Sequence, residues 1–195
     1  MKPWYEDKTI LITGATDGIG RELAKRLHAK AKALVLVGRS DKKFDTLAEE
    51  LGHSKYVMAT FDVTDENELE ALFTGIRADE VDAFVSCAGG TSIAEFESLS
   101  SVEIRVMLET HVLAPILWLK KLLPVMRPGS RIVFVSSRSG ERALTRLSVY
   151  TAAKAAIEKL ADALRNEYAR RGIGFSVVSP GSINTAFTRD WSVDD

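Results

Sequence analysis

A phenol and an ammonium stand four residues apart in Tyr150-Thr151-Ala152-Ala153-Lys154. On a helix, that spacing puts both on one face. Proton exchange with an alcohol or carbonyl needs such a pair. A free Tyr has a pKa near 10 and is a poor acid–base group at neutral pH. A fixed cation about 6 Å away, at an effective dielectric near 20, is worth roughly 2.8 kcal/mol, or about two pKa units. Phenolate then comes within reach for proton exchange. An amphipathic helix with a surface Lys gives the same spacing, so the pair needs company. Ser136-Ser137 closes the apolar run Arg131–Val135, and Ser137 lies 13 residues before Tyr150. A hydroxyl there can donate to the same substrate oxygen and hold it. A plain turn residue is the other reading of Ser137.

A second constellation is Thr13-Gly14-Ala15-Thr16-Asp17-Gly18-Ile19-Gly20, which follows an apolar run and opens a helical pattern. Glycines at a strand–helix junction let the backbone turn tightly and let a pyrophosphate approach the helix N-terminus. The spacing is G-x-x-x-G-x-G, one residue longer than the commoner dinucleotide fingerprint. About 20 residues further on, an NAD site usually places an acid on the ribose 2′-hydroxyl. This chain has Gly38-Arg39-Ser40 there. A guanidinium can pair with a 2′-phosphate through several donors, which predicts NADP(H) over NAD(H). An Arg stacked on adenine, indifferent to the phosphate, is the competing reading.

These residues must be positioned by regular elements. Ile10–Ile12, Ala33–Val37, Val81–Val85, Ile132–Val135 and Phe175–Val178 are nearly continuous apolar runs, with Tyr56–Phe61 as a sixth. Strands covered on both faces read this way. Helical patterns alternate with them: Gly20–Ala31, Lys42–Leu51, Asp65–Ile76 with Thr64 as cap, Ser101–Leu123 with a kink at Pro115, and Val149–Arg171 closed by Gly172. The alternation predicts an α/β fold: one doubly wound parallel sheet of about six strands, Rossmann-like, with helices on both faces.

The 195 residues predict a single domain spanning 1–195. A chain of that size can bury about 70% of its surface. With 46% hydrophobic and 27% charged residues, disorder and low complexity are excluded. A net charge of −1 gives no field that favours nucleic acid or a membrane surface. The lone Cys87 forbids an internal disulfide and offers no metal cluster. The N-terminus lacks a signal-peptide pattern, and Val112–Leu119 is far too short to span a bilayer, so a cytoplasmic protein is expected.

With Thr13–Gly20, Ser137, Tyr150 and Lys154 in order, the sequence resembles the short-chain dehydrogenase/reductase family from about Lys8 to Thr185. The resemblance adds Asp62-Val63 at the adenine, Cys87-Ala88-Gly89 beside the cofactor, and Pro180-Gly181-Ser182-Ile183-Asn184-Thr185 on the nicotinamide side. It implies that Tyr150 is the general acid–base. Lys154 would lower its pKa and bind the nicotinamide ribose, and Ser137 would orient a small carbonyl or alcohol substrate. Gly14, Thr16, Asp17, Gly18, Ile19, Gly20 and Arg39 would complete the dinucleotide site. A homodimer or homotetramer through the two long helices is the expected assembly.

Three departures stand out. His111 occupies the place of a helix Asn that links Lys through water to solvent; a relay through imidazole and an inert replacement both remain open. Ser86-Cys87 replaces two Asn, and Cys87 reads as a packing residue rather than a nucleophile. Only residues 186–195 follow Thr185, where the family continues into a substrate-covering segment and a seventh strand. That leaves two expectations: an oxidoreductase, or a non-catalytic NADP(H)-binding regulatory module of the same fold. Gly90–Phe96 and Gly140–Leu147 are the candidate substrate walls. Arg142 and Arg146 on the second either favour an acidic substrate or face solvent.

Overall fold

The six apolar runs form six parallel strands: β1 (Thr9–Thr13), β2 (Ala33–Gly38), β3 (Tyr56–Thr60), β4 (Ala83–Ser86), β5 (Arg131–Val135) and β6 (Gly174–Val178). Their order in the sheet is β3-β2-β1-β4-β5-β6, in a computed structural model that describes residues 2–52 and 55–185. The expected doubly wound sheet is therefore present. Every residue of β1 and β4 is buried, as continuous apolar sequence requires. Among the described residues β3 and β6 are the outer strands; the expectations for residues 186–195 lie outside them.

Alternate side chains feed two cores. Leu11, Val35, Phe84, Ile132 and Phe134 face α3 (Glu66–Gly75), α5 (Ala114–Leu122) and α7 (Ser148–Tyr168). Ile10, Ile12, Leu34, Leu36 and Val85 face α1 (Gly18–Leu27) and α2 (Asp41–Leu51) on the other side. Trp118 anchors the first core. Its ring stacks between Phe61 and Phe84 at centroid distances of 6.1 and 5.8 Å. Its indole N–H donates to the Val63 carbonyl at 3.0 Å, so burial leaves no polar atom unpaired.

Three differences from the expected elements bear on the site. α1 starts at Gly18 because the Asp17 carboxylate caps it. α3 is capped by Asp65, whose Oδ1 accepts from the N–H groups of Asn67 and Glu68 at 2.9 and 3.1 Å. Thr64 instead donates its hydroxyl to Asp62 at 2.8 Å. The long helix is α4 (Ser101–Leu108) and α5 joined by a π turn, Glu109–Leu113. Pro115 lies just after that turn, where a regular helix would set its ring against the His111 carbonyl. A π turn thus stands just before Pro115, where a kink was expected. α6 (Arg138–Glu141) is one turn, and α7 ends in a 3₁₀ turn, Ala169–Arg171, closed by left-handed Gly172 as expected. No helix among the described residues is long and apolar enough to cross a membrane.

Candidate active site

Strand order reverses between β1 and β4, and a crevice opens at the carboxyl ends of the strands there. It forms a cleft of about 680 Å³, within the range of ligand pockets.

The glycine turn builds its first wall. Gly14 has φ +70°, and a Cβ there would lie 2.7 Å from the Ala88 nitrogen. Only glycine lets the turn after β1 meet the loop after β4 backbone to backbone. Asp17 Oδ1 accepts from the Gly18 N–H at 2.7 Å, and its other oxygen pairs with Lys43. Thr16, Gly18 and Ile19 border the cleft with them. First-turn N–H groups lack intrahelical partners, so this wall suits an anion. Gly20 does not border the cleft, contrary to expectation. A Cβ there would sit 2.3 Å from the Gly14 carbonyl oxygen, so Gly20 packs the helix onto its own turn.

Arg39, at the end of β2, places Nη1 3.4 Å from Asp62 Oδ2. Burial raises the Asp62 carboxyl, but the Thr64 bonds and Arg39 outweigh it and hold it below the usual value. Val63 borders the cleft beside Asp62. Lys43 was missed in the sequence; its signal is its place in the first turn of α2, behind the Ser40 cap. From β4 come Cys87, Ala88 and Gly89. Burial pushes the Cys87 thiol up to about 12 against the opposing charge of Lys154, which removes it as a nucleophile.

The reactive groups gather at the ends of β5 and α7. Ser137 caps α6, its Oγ accepting from the Ser139 N–H at 3.1 Å. Tyr150 is hydrogen-bonded to Ser137 and buried in a small cluster with Met107 and Leu147. Lys154 Nζ donates to the Val135 carbonyl at 2.7 Å and lies 5.5 Å from the Tyr150 ring centroid. The lowered phenol pKa expected from Lys154 is absent here. Burial pushes Tyr150 above its ordinary value, and the Ser137 bond only partly offsets this. Burial likewise brings Lys154 down to about 8, while Cys87 and Glu158 pull it back up. Glu158, also missed, lies four residues after Lys154. It accepts from Ser136 Oγ at 2.5 Å and Ser179 Oγ at 3.3 Å, which ties the ends of β5 and β6 to α7.

His111 is 3% exposed within the π turn. Its Nε2 lies 2.6 Å from the Gly90 carbonyl oxygen and donates to it, which leaves buried Nδ1 without a partner. Its ring meets Tyr150 edge-on, with centroids 5.3 Å apart. Burial and then the Lys154 charge push the imidazole down to about 3, so it is neutral at physiological pH.

Pro180, Gly181, Ile183 and Thr185 border the cleft after β6, anchored by the Arg138 N–H to the Pro180 carbonyl at 3.0 Å. Of the two expected substrate walls, Gly90, Thr91, Ser92 and Leu144 are in place. Val102, Val106 and Met107 of α4 add an apolar wall beyond the two expected loops. Arg142 and Arg146 stand outside the lining. Arg146 instead lies 3.8 Å from Glu95 and accepts from the Ala94 N–H, which ties the two loops together.

Known proteins resemble this chain in sequence and fold. A family model described as short chain dehydrogenase matches residues 8–195. Dehydrogenase/reductase SDR family member 7B of Bos taurus is 34% identical over 95% of this chain. The chain spans 60–63% of the length of this protein and its fish and mouse counterparts. A short-chain dehydrogenase from Streptomyces avermitilis superposes with a TM-score of 0.84 at 32% identity, covering 92% of this chain and 67% of that one. A Burkholderia phymatum short-chain dehydrogenase/reductase shares the fold alone, with a TM-score of 0.88 at 19% identity over 96% of this chain and 70% of its own. By sequence and by fold, the chain belongs to the short-chain dehydrogenase family.

Proposed function

We propose that this chain is an oxidoreductase that passes hydride between a nicotinamide dinucleotide and the carbon of a carbonyl or secondary alcohol, with Tyr150 as general acid–base. The observation that carries this reading is the meeting of Tyr150, Ser137 and Lys154 with the glycine turn around one cleft. The cleft fits an anionic dinucleotide, since the first turn of α1, Arg39 and Lys43 all border it. Gly14, Gly18, Ile19 and Thr185 would hold its phosphates; Lys154 and the segment Pro180–Ile183 would hold its reactive end. When bound, the nicotinamide supplies or accepts the hydride.

The chain's own groups handle the oxygen. Ser137 and Tyr150 converge on it as hydrogen-bonding hydroxyls. In reduction, Tyr150 gives its proton to the carbonyl oxygen, and its burial keeps the phenol protonated until then. The Ser137 hydrogen bond favours the resulting phenolate, which regains a proton from solvent. In oxidation, the same proton travels back.

NADP(H) is the preferred form in this reading, because Gly38-Arg39 puts a cation where an NAD site has an acid. The fold accommodates both dinucleotides: the Burkholderia phymatum structure is a complex with NAD, and a closed serine dehydrogenase is a complex with NADP⁺. Fluorescence titration with NADPH and NADH tests the preference, and equal or tighter NADH binding overturns it. Tyr150→Phe tests the chemistry. It should keep dinucleotide binding and lose about 10²–10⁴-fold in kcat. Near-normal kcat on a confirmed substrate refutes the assignment. Dinucleotide binding with no turnover across a carbonyl panel makes the chain a non-catalytic binding module instead.

A further inference from the structure

Among the described residues four cationic side chains border the cleft, and three are engaged. Arg39 pairs with Asp62, Lys43 with Asp17, and Lys154 donates to the Val135 carbonyl. The fourth is Arg138, whose exposed guanidinium has neither hydrogen bond nor ion pair among the described residues. The cleft's own carboxylates do not reach it. Asp17 and Asp62 hold the partners just named, and Glu103 accepts from the N–H and hydroxyl of Ser100 at 2.9 and 2.7 Å. Among the described residues this leaves the Arg138 guanidinium open to an anionic ligand.

Its position gives that ligand a place. Arg138 directly follows Ser137, and its N–H is bonded to the Pro180 carbonyl. Its guanidinium lies against Gly181. A Cβ there would stand 3.2 Å from Nε and 3.3 Å from both Cζ and Nη2. The absent side chain lets the planar group settle beside the lining instead of being pushed off it. A guanidinium presents its donors as a fork that matches carboxylate and phosphate oxygens. Also on the lining, the buried Thr91 hydroxyl has no partner among the described residues.

We propose that Arg138 selects the substrate: the carbonyl or alcohol compound bears an oxyanion, a carboxylate or a phosphate, a short chain away from its reacting carbon, and Arg138 binds that group. The proposal rests on the oxidoreductase reading above. It also moves the acid-recognising role from Arg142 and Arg146, which stand outside the lining, to a cation that borders it.

The test is steady-state kinetics of the 195-residue chain with NADPH or NADH. Oxo acids are compared with their methyl esters, and phosphorylated ketones with their unphosphorylated parents. Arg138→Gln and Arg138→Lys are run beside the wild type. The expected result is a preference of at least about tenfold in kcat/KM for one anionic series, and which series it is separates carboxylate from phosphate. Arg138→Gln should collapse that ratio through KM, and Arg138→Lys should restore part of it. Equal turnover of acids and esters, or a ratio untouched by Arg138→Gln, overturns the proposal while leaving the oxidoreductase reading intact. A tenfold loss of dinucleotide affinity in Arg138→Gln would place the guanidinium on the cofactor and also overturn it. No turnover of any compound, charged or neutral, removes the oxidoreductase reading itself.

Discussion

His111 should make the folded chain acid-sensitive between about pH 7.5 and pH 5. An unfolded imidazole takes a proton near pH 6.5, whereas the buried ring takes one only near 3. Between those values the unfolded chain binds one more proton than the folded chain, so stability falls as the pH is lowered. The slope approaches about 1.4 kcal/mol per pH unit. From about pH 7.5 to about pH 5, the loss amounts to about 2 kcal/mol, a sizeable part of the 5–15 kcal/mol typical of a domain. His111→Gln keeps an amide that can reach the Gly90 backbone but removes the titrating group. Urea unfolding of both proteins at intervals across this range measures the effect. The wild type should lose about 2 kcal/mol more than the variant. Parallel pH profiles would refute the reasoning, because they would mean that the ring is protonated in the fold or solvated within it.

Three further outcomes follow from the same geometry. Gly14→Ala places a Cβ against the Ala88 backbone at φ +70°; it should cost about 2–5 kcal/mol by thermal unfolding and weaken dinucleotide binding, while an unchanged Tm would contradict the close approach. Cys87, with its thiol pushed up to about 12, should react with iodoacetamide at pH 8 orders of magnitude more slowly in the folded chain than after denaturation. Glu158→Ala strips the buried Ser136 hydroxyl of its 2.5 Å partner and should cost about 1–3 kcal/mol in urea unfolding, whereas Glu158→Gln should recover most of that.

The sheet was legible because its central strands are buried on both faces, which leaves short, nearly continuous apolar runs. The glycine turn was legible because a backbone approach such as Gly14 to Ala88 excludes every side chain. The Tyr150–Lys154 spacing was legible too, but not its electrostatics. The direction of the Tyr150 shift depends on Met107 and Leu147, brought to it from elsewhere in the chain. Glu158 read as an ordinary helix residue because its partners, Ser136 and Ser179, come from two strand ends. The π turn was hidden for a related reason. Pro115 signals a disturbance, but packing decides whether the helix bends or widens. Nothing in the sequence singles out Arg138, because its place depends on the partners that the other three cations find in the fold.

The π turn at Glu109–Leu113 changes how this helix can be varied. Each residue of an α-helix advances by about 100°, and a π turn holds one residue more than a regular turn. α4 and α5 are therefore out of phase by about one residue. Upstream, Met107 faces Tyr150; downstream, Trp118, Leu119 and Leu122 face the sheet. Deleting one residue within the turn would bring the two halves into a single phase, and cleft and core could not both keep their side chains. Sliding the turn along the helix by one position would do something different. It would rotate new side chains into the cleft wall and leave the core packing of α5 untouched. The wall that meets a substrate can thus be re-indexed independently of the core that holds the fold.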